Sequence, residues 1–280
     1  MKDLKQFIQN QGWSMYGIAS FEEIRKNLKK HEKIFQEWLK KGYDADMDYL
    51  EKMEKDRYDP ERKLSDVKSV IVLGAVESGN SYSNSSSTST ITNTITNKGI
   101  VARYAVGKDY HKVLKKKLLD LSDYLKSYND DCHTYASVDS GPTVDRVLAE
   151  SAGLGFFGKN CNLIDPKKGS FFFIASLMTN LKLEPTEKIR MPNCGDCTKC
   201  IDSCPTGALV SPGVLDARKC ISYLTIENKE GIPVELRPKI GNRLFGCDEC
   251  QNCCPFNTRD LRPACRQARL TIKDLSPECG

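Results

Sequence analysis

Eight of the thirteen cysteines fall into two related runs, Cys194-x2-Cys197-x2-Cys200-x3-Cys204-Pro205 and Cys220 followed, after 26 intervening residues, by Cys247-x2-Cys250-x3-Cys254-Pro255. In the first, three closely spaced thiolates hold one 4Fe–4S cubane while the fourth, beside a proline, ligates its neighbour. The second is a split copy whose opening ligand has been pushed upstream by an insertion. The crossed rule assigns Cys194, Cys197, Cys200 and Cys254 to one cluster, and Cys204, Cys220, Cys247 and Cys250 to the other. Cys253 leaves one alternative open, since it adjoins Cys254, but only Cys254 keeps the x3 spacing and the following proline. Structural zinc also uses paired Cys-x2-Cys steps. It requires neither a third cysteine three residues on nor a repeated Cys-Pro. Disulfide frameworks belong mainly to short secreted chains, whereas this sequence has 280 residues.

The start, MKDLKQFIQNQGWSMYGIAS, reads as an amphipathic helix running into a short strand rather than as a cleavable apolar leader. No stretch approaches the roughly 18 apolar residues that span a bilayer. A cytoplasmic protein without membrane contact, acting as a monomer, is expected. The net charge of +5 is too mild to establish nucleic-acid binding, although Lys112, Lys115, Lys116 and Lys117 form a local basic patch. A solvated helix face accounts for that patch equally well.

Charged helices are expected around Glu22–Lys40 and Asp46–Lys55, and a buried strand over Ser69–Val76. From 78 to 97 the chain is uncharged and almost entirely Ser, Thr, Asn and Gly apart from its TITNTIT alternation, which predicts a flexible loop. Tyr110, Val113, Leu114, Leu118, Leu121 and Leu125 share one helical face. Strands follow over Cys132–Val138 and Gly169–Met178, with a short helix between them that Pro142 starts and Gly153 ends. The predicted organisation is α+β: an α/β or α+β domain over 1–182, a ferredoxin-like double-cluster domain over 183–262, and a short tail over 263–280.

A ferredoxin alone needs only the last third of this chain, so the front domain has its own task. Asp139 ends a predicted strand just before a helix, a place that suits a catalytic acid and equally a turn-forming or capping Asp. The glycine-rich GLGFFGKN lacks the spacing and ending of a phosphate loop. Its glycines are expected to let the backbone approach something flat and bulky. Asp109 reads as the cap of the helix that begins at Tyr110.

Taken together and in order, RYAVGKDYHKVL, VDSGPTVDR, AGLGFFGKN, CGDCTKCIDSCPTGAL, KCISYLTIE and GCDECQNCCPFN resemble the epoxyqueuosine reductase family. That resemblance covers nearly all of residues 1–262. It implies an N-terminal α/β cobalamin-binding domain with a nitroreductase-like sheet, related to that of reductive dehalogenases, ahead of the double-cluster domain. It places Asp139 at the general-acid position, and Arg57, Ala102, Asp139 and Asn160 along the corrinoid pocket. It implies tRNA as substrate and a flavodoxin or ferredoxin as electron donor. The sequence departs from the family pattern in Phe156, where tryptophan is usual, in Ala45, where glycine is usual, and in the insertion over 78–97. Full-length members continue into C-terminal helical repeats that help grip tRNA, which these residues do not include, so weaker RNA affinity is expected.

Removing an epoxide oxygen to leave an alkene consumes two electrons and protons, while 4Fe–4S clusters pass electrons singly. The cluster of Cys204, Cys220, Cys247 and Cys250 is expected nearer the corrinoid, with Asp139 protonating the departing oxygen. Asp109-x-His111-x2-Leu114 begins like a cobalt-ligating loop but lacks its glycine, so no protein histidine is expected on the cobalt. Rival functions are a reductive dehalogenase, a paralogue acting on a small molecule, and a non-catalytic electron carrier. Cys132, Cys161, Cys253, Cys265 and Cys279 are expected to be inert packing thiols.

Overall fold

The computed structural model describes residues 3–76 and 99–258. The predicted loop over 78–97 and the tail with Cys265 and Cys279 lie outside the described residues. The front half runs α1 (Leu4–Asn10), β1 (Met15–Ser20), α2 (Phe21–Lys40), α3 (Tyr49–Lys52), α4 (Glu54–Tyr58), β2 (Ser69–Val76), β3 (Ile100–Val101), α5 (Tyr110–Lys126), β4 (Thr134–Ser137), α6 (Asp145–Ser151), a hairpin of β5 (Phe156–Phe157) and β6 (Leu163–Ile164), and β7 (Phe172–Thr179).

β1, β2, β7 and β4 form one sheet in that order, and every neighbouring pair is antiparallel. Of the α/β and α+β domains that the alternation of strands and helices predicts, the structure has a mixed α/β fold on an antiparallel sheet. β2 pairs on both sides and is buried along nearly its whole length. Its side chains alternate between two cores. Ile71, Leu73 and Ala75 meet Leu4 and Ile8 of α1 and Leu114, Leu118, Leu121 and Leu125 of α5. Val70 and Val72 meet Ile24 and Leu28 of α2 and Val147 and Leu148 of α6. Each such fully buried leucine or isoleucine stabilises the fold by about 1.5–3 kcal/mol.

Helix ends follow local chemistry. Ser20 Oγ accepts from the Glu23 N–H at 3.4 Å, with Glu22 and Glu23 in the first turn of α2. Asp109 caps α5 as expected, accepting from the His111 N–H at 3.0 Å. Gly153, with φ +77°, follows the C-cap residue Ala152 of α6 and supplies the left-handed stop. Pro142 does not start that helix, which begins at Asp145. Part of the lysine patch on α5 is spent internally: Lys117 Nζ donates to the Gln11 carbonyl at 2.8 Å and Lys115 Nζ donates to the Ala136 carbonyl.

The cysteine-bearing half runs α7 (Lys199–Asp202), β8 (Leu209–Ser211), β9 (Val214–Leu215), α8 (Ile221–Ile226), α9 (Arg237–Ile240), β10 (Arg243–Phe245), α10 (Glu249–Asn252) and α11 (Pro255–Thr258). It is stitched to the sheet domain at several points. The insertion between Cys220 and Cys247 carries α8, α9 and β10, and β10 pairs in parallel with β3, Arg243 opposite Ile100 and Phe245 opposite Val101. Trp38 Nε1 donates to the Leu215 carbonyl at 2.6 Å, the Ala217 N–H to the Tyr43 carbonyl at 2.9 Å, and the Tyr223 hydroxyl to Asp46.

Ala45, in the turn that leads to Asp46, has φ +57°. A Cβ in that left-handed region costs roughly 1–2 kcal/mol, partly offset by the greater chain entropy a glycine loses. Ala45→Gly is therefore expected to stabilise the protein by up to about 1 kcal/mol, read as a higher urea midpoint at unchanged slope.

Candidate active site

Cys194, Cys197, Cys200 and Cys254 line one cavity of about 240 Å³, together with Lys159, Asn160, Ile164 and Phe256. Local turns bring them there. Asn193 Oδ1 accepts from the Gly195 N–H at 2.8 Å, closing the loop around Cys194, and α7 carries Cys200. Cys254 arrives from the second run, at the residue before α11. Phe156 forms an apolar wall with Ile164 and Cys254, its ring edge-on to Phe256 at 5.4 Å. Cys253 is absent from the lining, and its Sγ lies 3.7 Å from the Cys250 carbonyl oxygen.

Two of the three glycines of GLGFFGKN, Gly155 and Gly158, pack against Ile164. A Cβ at Gly155 would run into the Ile164 carbonyl, so this glycine lets β5 and β6 close on each other. The hairpin then presents Lys159 and Asn160 to the cysteine module. The Lys159 N–H donates to Cys194 Sγ at 3.5 Å, and Lys159 Nζ to the Gly195 carbonyl at 2.6 Å. Asn160 Nδ2 donates to the Cys250 carbonyl at 3.0 Å.

Burial pushes the Cys200 thiol up to about 11. Burial raises Cys250 further, with Cys247, Cys220, Cys200 and Cys204 adding to the rise, so these thiols are close enough to feel one another's charge. At Cys204 burial also opposes ionisation, yet hydrogen bonds from the Leu209 N–H, the Thr206 hydroxyl and the Ala208 N–H bring the thiol below its usual value. Such buried thiols ionise when they coordinate a cationic centre. Among the described residues, no three His, Cys, Asp or Glu side chains are gathered tightly enough to share one ion. A zinc ion bound by thiolates at about 2.3 Å needs sulfurs roughly 3.8 Å apart. Thiolates that each take a separate corner of a cubane stand farther apart, and they suit a cavity of this size.

Asp139 lies between β4 and α6 with φ +52°, a left-handed conformation. The Tyr110 hydroxyl donates to Asp139 Oδ2 at 2.5 Å, and His111 Nε2 lies 3.6 Å from the same oxygen. Tyr110 is itself stacked on Phe173 at 4.2 Å and on His111 at 4.0 Å. Burial, followed by that hydrogen bond, holds the Tyr110 phenol far above its usual value, so it remains a donor. Beneath the loop, Ser137 Oγ and Thr143 Oγ1 are 2.9 Å apart, and Thr143 donates to Asp145 Oδ1 at 2.7 Å. The fields of both Asp139 and Arg57 reach Tyr49 and Asp145, so these groups face a common region. Arg57 Nε is buried without a hydrogen-bond partner. Ala102 and Asn160, the other residues expected to line a corrinoid pocket, are both buried and fastened to the cysteine module. Ala102 donates its N–H to the Phe245 carbonyl at 2.8 Å.

An antiparallel sheet domain carrying this acid, locked to a module that brings four thiols around one cavity, defines an iron–sulfur oxidoreductase. Residues 193–257 match the family model for the 4Fe-4S double cluster binding domain, and residues 57–140 match that described as epoxyqueuosine reductase QueG, DUF1730. The epoxyqueuosine reductase of Pseudomonas aeruginosa is 39% identical over 262 residues, covering 94% of this chain and 70% of that protein. A crystal structure of an epoxyqueuosine reductase with an epoxyqueuosine-modified tRNA-Tyr stem loop superposes with TM-score 0.73 at 38% identity, covering 92% of this chain and 65% of that one. The Bacillus subtilis enzyme, solved with its aspartate catalytic loop swung out of the active site, superposes with TM-score 0.76 at 36% identity over 99% of this chain and 68% of that one. The chain belongs to the epoxyqueuosine reductase family. It spans about two thirds of the length of these relatives. No helix among the described residues is long and apolar enough to cross a membrane.

The buried hydroxyl ladder has a measurable signature. Burial pushes the Asp145 carboxyl up to about 7, and the nearby Asp139 carboxylate adds to the rise against Thr143, Arg57 and Arg146. A carboxyl whose folded value exceeds its unfolded value near 3.9 stabilises fully below that value, and the contribution is lost as pH rises through about 7. Stability is expected to fall from about pH 4 to pH 7, by at most about 4 kcal/mol from this group. In Asp145→Asn the fall measured by urea unfolding should shrink.

Proposed function

We propose that this chain reduces epoxyqueuosine in tRNA to queuosine, with two 4Fe–4S clusters and cobalamin as cofactors. Cys194, Cys197, Cys200 and Cys254 hold the first cluster, and Cys204, Cys220, Cys247 and Cys250 the second. The observation that carries this assignment is the joining of Cys254, from the second run, to the three leading cysteines of the first around one cavity. When bound, the clusters supply single-electron relay, from a flavodoxin or ferredoxin in the cytoplasm. Cobalamin, when bound, supplies a reduced cobalt able to deliver two electrons to a strained carbon–oxygen bond.

The corrinoid-binding residues offered by this chain are Arg57, Ala102, Asp139 and Asn160. Arg57 fits that role best: a buried guanidinium N–H without a partner costs about 1–3 kcal/mol, and the peripheral carboxamides of a corrinoid offer the acceptor it lacks. Asn160 acts indirectly, by holding the Cys250 loop. Ala102 fixes the depth at which β10 docks, because a Cβ on Gly246 would collide with it.

Asp139 delivers the proton to the oxygen that leaves the epoxide carbon. Its carboxyl is exposed enough to reach a substrate, with 65% of the side chain accessible, and Tyr110 sets its orientation through Oδ2. The net change is two electrons and two protons in, one alkene and one water out. Tyr110 and His111 give a hydrogen-bonded surface beside that carboxyl.

The test is anaerobic purification with added cobalamin, followed by dithionite-driven conversion of epoxyqueuosine in an anticodon stem-loop. Conversion supports the assignment; a bound corrinoid without conversion would favour a small-molecule substrate. Asp139→Asn is expected to lower turnover by at least 10²-fold, the low end for a positioned acid, while iron and cobalamin content stay normal. Unchanged turnover would remove Asp139 from the mechanism.

A further inference from the structure

Resting on the cluster assignment above, we propose that Lys159 sets the reduction potential of the first cluster and places it above that of the second. Lys159 is anchored to the cysteine loop twice, through its N–H to Cys194 Sγ at 3.5 Å and through Nζ to the Gly195 carbonyl at 2.6 Å. It also lines the cavity that Cys194, Cys197, Cys200 and Cys254 surround. Among the described residues no carboxylate pairs with its ammonium group, so its charge is not neutralised locally. A 4Fe–4S cluster gains one negative charge on reduction, and a fixed cation or an N–H donor to a ligand sulfur favours the reduced form. Both devices therefore raise the potential.

The second thiol set is treated differently. Arg243, four residues before Cys247, is paired with Glu249 at 2.5 Å, so its charge is offset locally. The neighbour of Lys159, Asn160, reaches that set only through the neutral Cys250 carbonyl. One dipeptide of the β5–β6 turn thus touches both thiol loops but brings its charge to one of them. The consequence is a first cluster that accepts an electron readily from an external donor and holds it before the onward step.

The experiment is a potentiometric titration followed by electron paramagnetic resonance on the anaerobically loaded full chain, comparing the parent with Lys159→Met and Lys159→Arg. The parent should show two 4Fe–4S clusters with separate midpoints. Lys159→Met should lower the higher midpoint alone, so that the reduced fraction of that cluster at fixed potential drops by roughly tenfold for about 59 mV. Lys159→Arg, which keeps the charge, should stay close to the parent. Unchanged midpoints in Lys159→Met, or an equal shift in Lys159→Arg, would overturn the proposal. Loss of iron and sulfide from Lys159→Met would also overturn it, by making the residue an assembly clamp. A parent chain without two 4Fe–4S signals would instead defeat the cluster assignment on which the proposal rests.

Discussion

Lys159 and Asn160 sit side by side in the tight β5–β6 turn, and each hands a hydrogen bond to a different cysteine loop. That seam acts together with the β3–β10 pairing and the Trp38–Leu215 and Tyr43–Ala217 contacts to fix the thiols relative to Asp139. The seam works because Gly155 removes the Cβ that would hold β5 away from Ile164. Phe156 then packs against Ile164 and Cys254, while Lys159 and Asn160 line the thiol cavity. Backbone closeness in one hairpin thereby becomes electrostatic closeness between cofactor sites.

The position of Asp139 reflects a second constraint. A non-glycine residue with positive φ stores about 1–3 kcal/mol of strain and persists only where its surroundings over-determine it. Here Tyr110 holds the carboxylate from the helix side, while Ser137, Thr143 and Asp145 lock the chain beneath it. Asp145 accepts from the Thr143 hydroxyl, and burial holds its carboxyl well above the usual carboxylate range. The sheet contributes rigidity: Tyr110 stacks on Phe173 of β7, the strand paired along β2 and β4.

Much of this was legible before any coordinates. β2 occupies the predicted Ser69–Val76 to the residue, because eight residues of that composition can be buried on both faces and turn signals bound them. α5 and its Asp109 cap follow equally directly from helical spacing and a carboxylate at the right offset. Strand direction was not legible, since periodicity reports which residues share a face and says nothing of a neighbour's polarity. Pro142 misled because a proline tolerated at a helix start is equally at home in the preceding loop. That Gly155 and Gly158 of GLGFFGKN pack against Ile164 could not be read beforehand, since it requires knowing where β6 lies. Asn160 was singled out only through the family resemblance and Lys159 not at all, because nothing in either residue announces a partner 90 or 36 positions away.

The pairing of β10 with β3 joins segments about 140 residues apart through only two registered positions. On the ribosome, the stretch leading to Ala102 is made long before the strand that satisfies its amide, so it must wait for the cysteine insertion to emerge. Loop closure over such a span is entropically slow. The border that β3 gives the front half is thus completed only once Phe245 has been made.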